Sequence, residues 1–242
     1  MTTFQTTTIH EPTTQTEFAA DGVLTHDLYR EIHKAIRYVM FRTTMNAGTL
    51  DVTDLDAVVD LARQCHELIE LLELHHHHED GFVQALVETH APDLAILVET
   101  QHLTVEAGIA GLRDLVTALI DASPADQPAV AHRLYLELTR FTAAYLEHQL
   151  CEEQRVMPAL CGAVDGADLE ALHITLKQSI APDVMAGIML VMLPAINVDE
   201  RAGMLGGMSM APPEVWAVFR DAAQAALTPA QYAVVAERIG LN

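Results

Sequence analysis

The sequence predicts an all-α protein: an antiparallel up-and-down four-helix bundle followed by an additional C-terminal helical subdomain. Half of the 242 residues are hydrophobic but only 5% are aromatic, a balance that favours helix over strand. Apolar residues recur every three or four positions through four long segments, and no alternating strand pattern is present. Short connections between the long segments favour antiparallel neighbours.

The four long helices are predicted at residues 25–48, 51–90, 92–121 and about 125–157. Asn46 to Gly48 ends the first, and Thr53 or Asp54 is the expected N-cap of the second. The sequence SPADQP forms the turn before the fourth helix, and Pro158 lies near its end.

After residue 162 the helical segments become shorter. They are expected at roughly 167–179, 182–193, 198–208, 212–226 and 229–239, with Asn197 and Thr228 as caps. We therefore divide the chain into a mobile Thr-rich tail at 1–20, the bundle at 21–162, and an extension at 163–242 packed on the bundle.

The charge of the chain argues against two classes of partner. The formal net charge is −21, and Lys34 and Lys177 are the only lysines. Nucleic-acid binding needs a basic surface, which this composition cannot provide, and an anionic membrane is disfavoured for the same reason. The apolar stretch 184–196 is too short to span a bilayer and contains Pro194.

The cysteine content points to a reducing compartment. The chain has three cysteines, which is an odd and sparse set rather than a disulfide framework, and the N-terminus lacks the pattern of a signal peptide. We therefore expect a cytoplasmic protein. The cysteines are Cys65, Cys151 and Cys161.

Histidine and glutamate interrupt the apolar faces of the second and fourth helices. The apolar stripe that includes Leu72 continues into His75 and Glu79, and the stripe that includes Tyr145 continues into His148 and Glu152. A spacing of four puts both side chains of each pair on one helix face, one turn apart. The repetition of the same pair at similar depth on two helices favours a functional site over two unrelated core histidines.

The first and third helices carry histidines on the same kind of face. His33 lies on the apolar stripe of the first helix; His102 lies on that of the third, with Glu106 one turn beyond it. Buried carboxylates without partners cost several kcal/mol each (about 2–7), so this set needs cations. Imidazole and carboxylate ligands in this number suit a pair of metal ions, iron or manganese before zinc.

Four consecutive histidines at 75–78 begin within this pattern. Successive helical residues are rotated by about 100°, so the four cannot all face the interior. We predict that His75 is the ligand and that His76, His77 and His78 lie beside the site or in solvent.

Four motifs in this order resemble those of the hemerythrin-like, or HHE cation-binding, family. They are EIHKAIR, HHHHED followed by AL, ETQHLTVE and HQLCEEQRVMPAL, and the resemblance covers about residues 22–160. It implies a four-helix bundle with a non-haem centre of two iron ions bridged by carboxylates and an oxo or hydroxo group. The implied ligands are His33, His75, Glu79, His102, His148 and Glu152, with Glu79 and Glu152 as the bridges.

The sequence departs from the oxygen-carrying hemerythrins at two positions. Glu106 stands where they have a second histidine on the third helix, and Glu152 follows His148 by four residues where they have Asp after five. With Glu106 as an added ligand, the more anionic set favours the oxidised metal and weakens the case for reversible oxygen carriage. On the first helix, His26 is an alternative to His33.

Three functions follow as hypotheses. The first is a di-iron protein that binds or reacts with oxygen, peroxide or nitric oxide in sensing, scavenging or iron handling. The second is a di-iron oxidase or oxygenase for an organic substrate, with the Met-rich segment 185–210 lining a pocket. The third is a zinc or nickel storage protein that uses the histidine run. The sequence leaves catalytic turnover and a homodimer open, and it assigns no catalytic residue.

Overall fold

The computed structural model of the chain describes residue 24 and residues 26–241, and this part is helical throughout, without a β-strand. The all-α prediction is therefore confirmed, while the predicted tail at 1–20 lies outside the described residues. The helices are α1 Arg30–Gly48, α2 Leu55–His78, α3 Gln84–His90, α4 Pro92–Asp121, α5 Gln127–Cys151, α6 Met157–Ala163, α7 Gly166–Ser179, α8 Pro182–Ala195, α9 Val198–Met208, α10 Pro213–Ala226 and α11 Pro229–Arg238.

Local chemistry accounts for several helix boundaries. Asp54 caps α2 by accepting hydrogen bonds from the N–H groups of Asp56 and Ala57. Capping boxes at Asn197 and Thr228 start α9 and α11, as predicted. The first helix begins at Arg30, later than predicted.

Two short π-helical turns interrupt the long second and fourth helices. Glu79–Val83 joins α2 to α3, and Glu152–Val156 joins α5 to α6. The fourth helical segment therefore continues beyond Pro158, which occupies the first turn of α6 where its missing N–H costs least.

Helices α1, α2, α4 and α5 form a closed ring of contacts. Helix α1 packs against α2 and α5, and α4 packs against the same two helices. The core of this ring consists of aliphatic residues from all four helices, among them Ile36, Leu72, Leu112 and Leu138. A second apolar cluster includes Val98 of α4 together with Val83 and Val156, the last residues of the two π-helical turns.

Helices α8 to α11 form their own apolar core, which also includes Ala35 of α1. Helix α8 packs against both α1 and α10. An ion pair between Lys34 and Glu200 connects α1 to α9. Within the described residues, no single helix is both long and apolar enough to cross a bilayer. Helices α7 and α8 meet that test by length and composition only when taken together, and they are bent by 108°.

Candidate metal centre

Each π-helical turn begins at a glutamate that the sequence identified as a ligand. Glu79 follows α2 directly and Glu152 follows α5 directly. A π turn adds one residue to a helical turn and is frequent at functional sites, because it changes the direction of the side chains that follow. Here it lets each helix present a buried glutamate and then resume its apolar face at Val83 and Val156.

Seven buried side chains form two overlapping groups that could each hold a metal ion. The first group is His33, His75, Glu79 and Glu152, and the second group is His76, Glu79, His102 and His148. Within each group, the potential ligand atoms all lie within 4.8 Å of one another. Glu79 belongs to both, so the two sites are adjacent.

The two glutamates each direct one oxygen towards each group. Oε1 of Glu79 lies 3.0 Å from Nε2 of His75, and Oε2 lies 3.8 Å from Nε2 of His102. Oε2 of Glu152 lies 3.3 Å from Nε2 of His33, and Oε1 lies 3.4 Å from Nε2 of His148. A carboxylate with this orientation can bridge two cations.

The buried polar atoms of the site lack ordinary partners. Among the described residues, Nε2 of all five histidines makes no hydrogen bond of acceptable geometry, nor do both oxygens of Glu79 and Oε2 of Glu152. Buried polar groups are nearly always satisfied, and an unsatisfied one costs about 1–3 kcal/mol. Orphaned nitrogen and oxygen atoms that converge on two points fit bound metal ions, which would satisfy them together.

Outer hydrogen bonds orient two of the imidazoles. Nδ1 of His33 donates to Oε1 of Glu153 at 2.9 Å, and Arg37 donates to both oxygens of the same carboxylate at 2.7 and 3.1 Å. Nδ1 of His148 donates to Oε1 of Gln101 at 3.2 Å. A protonated Nδ1 leaves the lone pair on Nε2, the atom that faces the group, as metal-ligating histidines require.

Burial keeps two of the imidazoles in the neutral form that binds metal. Burial lowers the pKa of His148 to about 3 and of His76 to about 4, so both imidazoles are neutral near neutral pH. Burial raises the pKa of Glu153, but its hydrogen bonds from His33 and Arg37 reverse this and bring it to about 2. The outer carboxylate is therefore ionised where it accepts the proton of His33.

The two central carboxyl groups influence each other. Burial alone raises the pKa of Glu79, but the nearby His75, His33 and His148 offset this and hold it below its usual range. Burial and then the charge of Glu79 raise the pKa of Glu152 well above its usual range. Two adjacent carboxylates of this kind ionise together readily only when a cation lies between them.

A tyrosine accompanies each group. The ring of Tyr29 lies 5.0 Å from that of His33, and the ring of Tyr145 lies 5.4 Å from that of His148. The hydroxyl of Tyr145 is buried and makes no hydrogen bond with any described residue. Burial first, followed by the charges of the two central glutamates, raises the pKa of both phenols, so both remain protonated.

The two groups border different openings. A cavity of about 480 Å³ between α1, α2 and the C-terminal helices is lined by His75, Glu79 and Tyr29. A second opening of about 450 Å³ is lined by His76 and by charged residues of α2, the π turn and α4, among them Asp80 and Glu106.

The structure brings together six of the seven ligands expected from the sequence. The exception is Glu106, which is exposed and belongs to neither group. The buried stripe of α4 passes from His102 to Val105 and Ile109, so Glu106 lies on its flank. His26, the alternative to His33, also lies outside both groups, with Nδ1 3.6 Å from Oε2 of Glu170.

Sequence reasoning missed His76, which is buried in the second group where a residue beside the site or in solvent was expected. His77 is exposed and His78 is half-buried. The sequence feature that could have identified His76 is its position next to His75. Two successive histidines at the end of α2 can each bind a different one of two neighbouring metal ions.

Comparison of the chain with protein-family models, with curated proteins and with solved structures found no match. The candidate function therefore depends on the geometry of the site.

Proposed function

We propose that this chain is a hemerythrin-like non-haem di-iron protein that binds or reacts with oxygen, peroxide or nitric oxide. The observation that carries the proposal is the position of Glu79, which is shared by two buried ligand groups with one oxygen towards each. A single-metal site would not need a second set of histidines around the same carboxylate.

An antiparallel up-and-down four-helix bundle is consistent with the packing. The ligands lie early in α1, at the end of α2, in the first half of α4 and at the end of α5. Helices that alternate in direction bring these four positions to one level. The closed ring of contacts among the four helices supports the same arrangement.

The ligand set favours iron, with manganese and zinc as alternatives. The first group offers two imidazoles and two carboxylates, and the second offers three imidazoles and the shared carboxylate. Such sets suit iron and leave coordination positions for a small ligand. When bound, an iron pair supplies the capacity to bind a diatomic molecule or peroxide and to exchange electrons with it. His33, oriented by Glu153, would be one of the imidazoles that hold the first ion.

The proposal is tested by reconstitution with iron and elemental analysis. We expect two iron ions per chain and near-ultraviolet charge-transfer bands in the oxidised protein, which nitric oxide or peroxide alters. Protein with verified iron loading that retained one ion and showed no such bands would overturn the proposal.

The cavity supports a second candidate, a di-iron oxidase or oxygenase for an organic substrate. Four methionines of the segment 185–210 line the cavity, and His75 and Glu79 of the first group line it too. A protein that handled only diatomic ligands would not need a space of this size beside the metals. Ligand binding in the cavity distinguishes the two candidates.

A further inference from the structure

We propose that the cavity between α1, α2 and helices α7 to α10 binds an uncharged small molecule with a hydrocarbon body, oriented with one end against His75 and Glu79. That this molecule is a substrate of the metal centre rests on the function proposed above, whereas its binding does not. The volume of about 480 Å³ lies in the range of ligand pockets, roughly 300–1,000 Å³.

The walls of the cavity are apolar and deformable. Aliphatic side chains come from α1, α2, α7 and α8, and Phe219 comes from α10. Thioether side chains are flexible and polarisable, and they adapt to apolar ligands of varied shape. The four that line the cavity are Met185, Met192, Met204 and Met208.

The cavity extends to the first ligand group. Tyr29, His75 and Glu79 line the cavity as well as lying at or beside the proposed metal position. A ligand that fills the cavity therefore reaches the coordination sphere from the α1 and α2 side. This continuity separates the cavity from an incidental packing defect between the bundle and the extension.

The charged residues that line the cavity carry both signs, which argues against a charged ligand. Glu79 belongs to the ligand groups and Glu200 is paired with Lys34, which leaves Glu31 and Lys177, of opposite sign, on the rest of the lining. The net charge of −21 repels anions from the chain as a whole. An uncharged polar end, such as a hydroxyl group, is compatible with these side chains.

Helix α9 leaves space on the side that lines the cavity. Gly203 and Gly207 lie one turn apart among the lining residues, and a Cβ added at either would meet no atom within 4 Å. Glycine weakens a helix interior relative to alanine, yet no neighbouring side chain excludes a larger residue here. Both glycines are exposed on the lining of the cavity, so a larger side chain introduced at either position can be accommodated there and would narrow the cavity.

Titration of 1-decanol into metal-free full-length protein, measured by calorimetry, tests the proposal directly. We expect about one molecule bound per chain and at least tenfold weaker binding to Gly203→Leu. Gly187→Leu is the matched control, because Gly187 is also in a helix, also has nothing within 4 Å of an added Cβ, and does not line the cavity. It should bind like the unmodified protein.

Gly207→Leu gives a second blocking variant one turn away, so the test does not depend on the folding of one protein, and circular dichroism checks each variant. Absence of 1-decanol binding to the unmodified protein would overturn the proposal, as would equal binding to the folded blocking variants. Much tighter binding of decanoate than of 1-decanol would overturn the uncharged ligand class.

Iron loading is measured separately on the same proteins. Full loading in the Gly203→Leu variant with loss of 1-decanol binding supports both proposals. Failure of the metal centre would appear as missing iron with intact 1-decanol binding, and failure of the cavity proposal would appear as the reverse. In the loaded protein, 1-decanol should shift the charge-transfer bands of the unmodified chain and not those of Gly203→Leu. An unshifted spectrum despite 1-decanol binding would overturn its placement against His75 and Glu79.

Discussion

The two halves of the candidate metal centre share a carboxylate but have different surroundings. The first group borders a cavity with mainly aliphatic and thioether walls. The second group borders an opening lined by Glu73, Asp80, Glu106, Arg113 and other polar residues. The two candidate metal positions would thus be approached through apolar and through charged surroundings. The difference teaches that two groups sharing Glu79 would hold their ions with different ligands and in different surroundings.

The largest effect should come from the residue that belongs to both halves. In Glu79→Gln, the side chain keeps its size but loses the charge that both cations require, so we expect less than one iron ion per chain after reconstitution and dialysis. Elemental analysis measures the loss. Retention of one full equivalent would mean that the two halves bind independently, which would contradict the shared bridge.

Glu106→Gln is the matched control for this substitution. It is the same chemical change at an exposed glutamate that borders the polar opening but belongs to neither ligand group. We expect an unchanged iron content. A loss comparable to that of Glu79→Gln would restore Glu106 as a ligand, as the sequence predicted.

Substitutions of the adjacent histidines His76 and His77 test the second half of the centre independently of the first. His76→Ala removes one of four ligands of the second group and should lower the content by about one iron ion, because the first group remains complete. His77→Ala should change nothing, since His77 is exposed. Equal losses in the two variants would favour storage of zinc or nickel by the histidine run over a dinuclear centre.

Much of this architecture could be predicted because helix periodicity is strong in the sequence. The apolar stripes locate the buried faces of the long helices, and the interruptions of those stripes locate His75, Glu79, His148 and Glu152. A buried polar residue on an otherwise apolar stripe is informative because burial without a partner is costly.

The remaining features depend on small rotations that the sequence does not determine. His76 is about 100° from His75 on an ideal helix, so its burial depends on how α2 is rotated between α1 and α4. Glu106 lies outside both groups for the same reason, since about 40° of rotation separates it from the buried position of His102 on α4. The π turns and the cavity depend on tertiary packing, and no local sequence pattern predicts them.

A smaller effect is expected from the hydrogen bonds that support the first half. Glu153→Gln removes the charge that accepts the Nδ1 proton of His33, so the imidazole is held less firmly. Outer-shell changes of this kind typically weaken metal affinity by about 10–100-fold, which competition with a chelator can measure.

The loss in Glu153→Gln should be confined to one of the two iron ions, because Glu153 contacts His33 and Arg37 directly and makes no hydrogen bond to any residue of the second group within the described part of the chain. Gln101→Glu tests the other half by charging the acceptor of the Nδ1 proton of His148. It should strengthen, or leave unchanged, the affinity of the second ion. An equal change in both ions in either variant would contradict separate support of the two halves.

The smallest effects on the metal centre should come from the two tyrosines, which lie beside different halves of it. The hydroxyl of Tyr145 is buried without a hydrogen bond to any described residue, so Tyr145→Phe removes an unsatisfied group and should raise the free energy of unfolding of the metal-free protein by about 1–3 kcal/mol. Tyr29 lines the cavity, so Tyr29→Phe should alter 1-decanol affinity a few-fold while Tyr145→Phe leaves it unchanged. Urea unfolding and calorimetry provide the two measurements. If Tyr145→Phe destabilised the metal-free protein instead, the hydroxyl would have a hydrogen-bond partner in solution, which would contradict its burial without one.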